Sequence, residues 1–212
     1  TGIYLADQYL HPRNLASAMV LWAVARILAR TPLQAVPPVA GAVLLHPMMG
    51  TYGASFCLVL VLIMSDRVRQ TAKALPPMRR TAPVAGVIPV GWLFRPAPPG
   101  WVDAMQAHHW FWLYRWTWYE WLGAIGPLVL FWLIARTGRR RGERMLERFA
   151  LAVLAYGIFQ QAVALVVCGN PRLMTLATVE PMRYLHLLYV FLALIGGGLL
   201  GQHLKGHAMR WI

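Results

Sequence analysis

Asp7, His11 and Arg13 stand within one short run, Tyr4-Leu5-Ala6-Asp7-Gln8-Tyr9-Leu10-His11-Pro12-Arg13-Asn14, just ahead of an apolar stretch. A carboxylate beside an imidazole and a guanidinium can serve as a general base next to an anion site. The same trio can also form a capping loop with an ion pair. Pro12 disfavours helix at His11, and Asn14 can cap the stretch that follows. Two further pieces have related chemistry. In Leu45-His46-Pro47-Met48 a histidine closes an apolar stretch before a proline. In Glu180-Pro181-Met182-Arg183-Tyr184-Leu185-His186 the spacing puts Arg183 and His186 on one side of a helix.

The elements that must position these residues are apolar. Hydrophobic residues make up 58% of the 212 and charged ones 13%, against about 25% charged in a soluble domain. The expected fold is all-α, a polytopic transmembrane helical bundle of about seven crossings forming one domain over 1–212. Short or broken helices are expected in its N-terminal half. The stretches are Asn14–Arg30, Leu33–Met48 (interrupted by Pro37 and Pro38), Thr51–Met64, Pro83–Phe94, Thr117–Arg136, Phe149–Cys168 and Leu185–Leu204. Only the last three reach the roughly 20 residues of a full span. Pro83–Phe94 is expected as a broken or partly embedded crossing, because strongly basic loops on either side of it and the next span require an even number of passages.

Fifteen of the 20 Lys and Arg residues fall in four clusters: Arg26 and Arg30; Arg67 to Arg80; Arg136 to Arg148; Lys205 and Arg210. Positive residues resist translocation, so these loops are expected in the cytoplasm of a bacterial inner-membrane protein. Opposite them the threading gathers five of the seven His and four of the seven acidic residues, with Arg13, Arg115, Arg172 and Arg183. The net charge of +13 then reflects topology and anionic headgroups rather than nucleic acid. The segment Trp101–Tyr119 carries five Trp and is expected as an interfacial helix on the outer leaflet, where indole rings favour the headgroup level. Gln160 and Gln161 read as interhelical hydrogen-bond donors and acceptors. Cys57 and Cys168 read as packed thiols without a disulfide or zinc spacing. A start at Thr1-Gly2-Ile3 is expected to be processed or truncated, with spans upstream.

The opening with Asp7, His11-Pro12-Arg13 and the small-residue helix Leu15–Ala29 resembles the early luminal loop and following span of polytopic glycosyltransferases of the GT-C superfamily. The Arg30-to-Leu33 turn and the return helix ending His46-Pro47 look like the same architecture. Trp116-Thr117-Trp118-Tyr119-Glu120-Trp121-Leu122-Gly123 and Pro181 to His186 resemble stretches of uncharacterised bacterial membrane proteins built that way. The resemblance implies transfer of a sugar from a polyprenyl-phosphate carrier on the non-cytoplasmic face. Asp7 then matches the catalytic acidic residue of the first outer loop. Arg13 and Arg183 would hold the leaving phosphate, since guanidinium forks suit phosphate oxygens. His11, His46, His186 and Glu120 would orient acceptor or carrier, and Trp112 and Trp116 would shelve isoprenoid or sugar. No metal site is expected, and a cofactor stays open. The competing expectation is a non-catalytic transmembrane subunit of a larger complex, contacting membrane-protein partners or a cofactor through Gly196-Gly197-Gly198 and Gly201.

Overall fold

The computed structural model describes residues 11–66, 99–108, 111–169, 173, 176 and 180–204, and among them there are helices and no strand. The expected crossing at Pro83–Phe94 lies outside these residues. Pro12, whose fixed φ suits a first helical position, opens α1 (Pro12–Leu28). The cap is His11 rather than Asn14: its Nδ1 accepts a hydrogen bond from the Arg13 amide at 3.2 Å. The helix stops where Arg30 turns left-handed, φ +64°, and its Nη1 donates to the Met64 carbonyl at 3.0 Å.

A 3-10 turn, Pro32–Ala35, leads into α2 (Val36–Leu45). Pro37 and Pro38 begin this helix instead of interrupting one, because first-turn amides need no intrahelical acceptor. The two pieces together rise about 23 Å, short of a hydrocarbon core of about 30 Å. A single extended residue, His46, separates α2 from α3 (Pro47–Met64). The third apolar stretch therefore starts at Pro47, four residues before Thr51, and takes in Met48.

A short α4 (Pro99–Gln106) and a 3-10 turn, Leu113–Arg115, precede α5 (Trp118–Arg141). The expected single helix over Trp101–Tyr119 is thus broken into a folded corner. The cause is the Trp112 indole, fully buried, whose Nε1 donates back to the Met105 carbonyl at 3.1 Å. After Gly142, left-handed at φ +71°, the chain reverses into α6 (Arg144–Gly169). The last helix is α7 (Tyr184–Leu204), entered through the 3-10 turn Pro181–Arg183.

Among the described residues four helices, α3, α5, α6 and α7, are long and apolar enough to cross a membrane. Their outward faces are apolar as well: Leu58, Leu122, Trp132, Val166, Leu194 and Leu200 are all exposed. Helices apolar on every side are those of a membrane protein. Inside, Phe56 of α3, Phe149 of α6 and Phe191 of α7 meet with ring centroids 6.1, 4.7 and 5.4 Å apart, and Tyr156 lies 5.4 Å from Phe56. Tilted and edge-on pairs at these distances are the favourable arrangements.

The ends of the bundle differ in chemistry. At one, α1, α3 and α5 finish and α2 and α6 start. There Arg148 pairs with Asp66 at 2.8 Å, Arg30 and Arg148 both reach the Met64 carbonyl, and Arg139 pairs with Glu147 at 2.7 Å. Cations on the last carbonyls of a helix complement its dipole. Every described member of the basic clusters lies in the segments around this end. The opposite end gathers the starts of α1, α3, α5 and α7, with the histidines.

Close helix approach depends on glycine. A Cβ at Gly50 would run into the α2 backbone at Ala42 and Val43, and one at Gly53 would strike the Val20 side chain of α1. Gly197 of α7 has open space around it. Gly50→Ala is expected to destabilise the bundle by about 1–3 kcal/mol through overpacking against backbone, whereas Gly197→Ala should be neutral or slightly stabilising. Thermal unfolding of detergent-solubilised protein distinguishes the two, and equal Tm values for both variants would contradict the close α2–α3 contact.

Candidate functional site

The one-residue corner at His46 begins the site. With φ −150° and ψ 91°, His46 ends α2, and its Nδ1 accepts from the Met49 amide at 3.2 Å to cap α3. The ring lies 6.3 Å, centroid to centroid, from that of His11, which performs the same capping on α1. Two imidazoles thus hold the starts of two helices side by side. Burial lowers the His46 pKa below its ordinary value; a hydrogen bond within its own backbone opposes this, and the charges of Arg183, Arg13 and His11 lower it further. Arg13 opens α1 one turn before Ser17, and Arg183 precedes His186 by three residues, so the 3.4 Å contact of Ser17 with His186 puts both arginines at this end of the bundle.

Arg13 is half-buried, and its Nε is shielded from solvent without a hydrogen-bond partner among the described residues. Arg183 is ion-paired with Glu180 three residues earlier. Glu180 is left-handed, φ +44°, and its carbonyl accepts from the Tyr52 hydroxyl of α3 at 3.2 Å. One step below, buried His186 Nε2 lies 3.4 Å from Ser17 Oγ, joining α7 to α1. Ser55 and Tyr156 hydroxyls lie 3.1 Å apart, and both donate to the Tyr52 carbonyl, at 2.9 and 3.0 Å. Tyr184 hydrogen-bonds Gln161, the interhelical role expected of that glutamine, while Gln161 Nε2 is buried without a partner among the described residues.

Of the residues singled out by sequence, His11, Arg13, His46 and Arg183 are brought together, with His186 just beneath. Asp7 lies outside the described residues. Glu120 completes a capping box on α5, accepting from Thr117 N at 2.8 Å and Thr117 Oγ1 at 2.9 Å. Trp112 is core to the α4–α5 corner, packed with Met105, Leu113, Val167 and Cys168. Trp116 lies edge-on to Trp121 at 5.7 Å and packs between this cluster and the main core.

Sequence reading missed Tyr52, Ser17 and the pairing of Glu180. Ser17 follows Arg13 by one helical turn, a spacing that could have indicated it. Tyr52 carries no local signal, since its partner is 128 residues away. Among the described residues no group of three His, Cys, Asp or Glu side chains converges as a metal site. Comparison with protein-family models, curated proteins and solved structures returned no match for this chain.

Chemically, two imidazoles at the starts of α1 and α3 and two guanidinium groups gather at one end of the bundle, and Glu180 pairs with one of the guanidinium groups. Such an arrangement attracts an anion with oxygens to share between two guanidinium groups. Because the folded His46 pKa is depressed, the unfolded chain binds more protons between that value and about 6.5. Stability is therefore expected to hold above the unfolded pKa and to be lost as pH falls through the folded one. His46→Asn, which keeps a capping acceptor without titrating, should flatten this part of the profile in denaturation measured across mildly acid pH. An unchanged slope would show that His46 does not supply it.

Proposed function

We propose that this chain is a multi-pass protein of a bacterial inner membrane that transfers a sugar from a lipid-phosphate carrier on the non-cytoplasmic face. The observation that carries the reading is that Arg13, Arg183, His11 and His46, from three elements, lie at one end of the bundle, with Glu180 on Arg183 and a shielded Arg13 Nε without a partner among the described residues. Phosphate is the ligand such a set suits, because guanidinium groups share its oxygens while imidazoles donate or accept as needed. Fifteen basic residues against five favour the histidine end as the outer one.

In this reading Asp7, six residues before Arg13, takes the proton of an acceptor hydroxyl as its oxygen bonds to the anomeric carbon. The bond from that carbon to the phosphate oxygen breaks, and its electron pair leaves with the lipid phosphate held by Arg13 and Arg183. His186 and Ser17 stand beneath as positioning groups. Exposed apolar helix faces supply the surface along which a polyprenyl tail would lie.

A second reading, a transmembrane subunit of a larger assembly, is favoured by one observation: Gly196, Gly197, Gly198 and Gly201 of α7 have open space where a Cβ would stand. Bare glycine surface lets another helix approach closely.

Lipid-linked sugar transfer by membranes containing the protein tests the first reading. Asp7→Asn is expected to abolish transfer, and Arg13→Gln to cost about 10- to 100-fold in kcat/KM, the worth of a charge-assisted hydrogen bond. Full activity of both variants, with insertion verified, would remove Asp7 as the base and Arg13 as a phosphate ligand. Sidedness is tested by a cysteine placed at Arg140, expected to react with an impermeant thiol reagent only after the cells are opened.

A further inference from the structure

The two arginines of the site are unequally equipped. Arg183 is neutralised from within its own turn by Glu180, while no carboxylate among the described residues pairs with Arg13. Glu180 holds Arg183 from a backbone conformation, φ +44° and ψ 67°, that non-glycine residues seldom adopt. Two bonds hold it there: the Tyr52 hydroxyl on its carbonyl, and Arg183 on its carboxylate. A strained residue fixed against a cluster of charges marks a position where function outweighs local comfort.

The surrounding lipids supply the reason. Bilayer phospholipids are mostly phosphodiesters or zwitterions, a diester headgroup carries one negative charge, and they are present at very high local concentration. Two bare arginines at a span end would be occupied by them continuously. Glu180 carries the same single charge as a diester. Exchanging one for the other at Arg183 gains no charge and gives up an intramolecular pair. A phosphate monoester carries close to two negative charges, enough to engage Arg13 and Arg183 together in spite of Glu180.

We propose that Glu180 is a resident counter-ion that makes the Arg13–Arg183 site select dianionic phosphate-monoester lipid headgroups over the monoanionic phosphodiesters of the bilayer. The inference rests on reading this end as a phosphate site. In the transfer proposed above, the donor is a phosphodiester and the second charge appears only as the anomeric C–O bond breaks. Glu180 therefore tunes the site to the leaving group rather than to the intact donor, so its binding energy is expressed as the reaction proceeds.

The test uses the full chain in phosphatidylcholine nanodiscs at about pH 8, where a monoester is close to doubly charged. Phosphatidic acid (monoester) and phosphatidylglycerol (diester) of identical tails are titrated, and bound lipid is counted by native mass spectrometry. Wild type should prefer phosphatidic acid by about tenfold, the size of one added charge-assisted contact. E180Q should bind phosphatidylglycerol more tightly and lose most of that preference, whereas E180D should keep it. Because the readout is a ratio within one preparation, differences in yield cancel. Equal wild-type affinities overturn the proposal without any variant, and E180Q weakening both lipids alike would make Glu180 a mere support for Arg183. Arg13→Gln leaving both affinities unchanged would instead sink the phosphate site itself. Inorganic phosphate, added as competitor, should displace phosphatidic acid only weakly; complete displacement reassigns the site to free phosphate.

Discussion

A helix must find partners for its first amides, and at His46 the chain has no spare residue with which to do so. Pro47 forbids α2 from continuing, and the extended backbone of His46 turns the chain into α3 at once. Within an apolar environment an unpaired amide costs about 1–3 kcal/mol, and the imidazole removes one such cost by accepting from Met49. To do that with Nδ1 the ring must be unprotonated at that nitrogen. Burial and the neighbouring arginines hold it in that state. The corner that folds the N-terminal hairpin thus also sets a neutral imidazole at the end of the bundle that holds Arg13 and Arg183. Gly50, four residues on, lets α2 and α3 lie close enough for the corner to close.

Charge then sorts the rest. At the arginine end the guanidinium groups lie on helix C-termini and on carboxylates: Arg30 and Arg148 on Met64, Arg148 on Asp66, Arg139 on Glu147. Each favourable charge–dipole contact there is ordinary and structural. At the histidine end the sign is wrong for the backbone: Arg13 and Arg183 sit beside helix N-termini, which repel cations. An arrangement that local electrostatics disfavours persists only where something compensates it. Among the described residues Glu180 compensates Arg183, and no carboxylate pairs with Arg13. Two similarly placed arginines are thus differently equipped.

Much of this was legible in the residues, for definite reasons. The three C-terminal spans follow from uninterrupted apolar runs, and α5–α7 begin within a few residues of where those runs do. Grouping of the histidines at one end follows from alternating charge clusters, a property of order along the chain. Boundaries set by side-chain chemistry were less visible. A histidine cap is an uncommon choice beside Asn14, and Pro37–Pro38 reads equally as a break or a start until the preceding turn is known. The Trp-rich segment looked like one helix because its aromatics are evenly spread. A buried indole reaching back to Met105 overrode that pattern, a tertiary contact no local window contains. Glu120 and Trp112, chemically eligible for a site, turn out to serve a cap and a corner.

The two halves of the bundle are held differently, and the difference bears on where it can move. Toward the arginine end and the middle, Phe56, Phe149 and Phe191 lock α3, α6 and α7 by close-packed rings. Packed cores of this kind have few alternative arrangements. Toward the histidine end hydrogen bonds are added to the apolar packing and bring in α1 and α5: Tyr52 to Glu180, His186 to Ser17, Tyr184 to Gln161, Tyr189 to the Gly123 carbonyl at 2.8 Å. A hydrogen bond can be exchanged for one to a ligand oxygen at little net cost, because the donor is satisfied either way. Gln161 Nε2 is a buried donor without a partner among the described residues. The aromatic knot is the frame, and the polar contacts fix the ends of the elements around it.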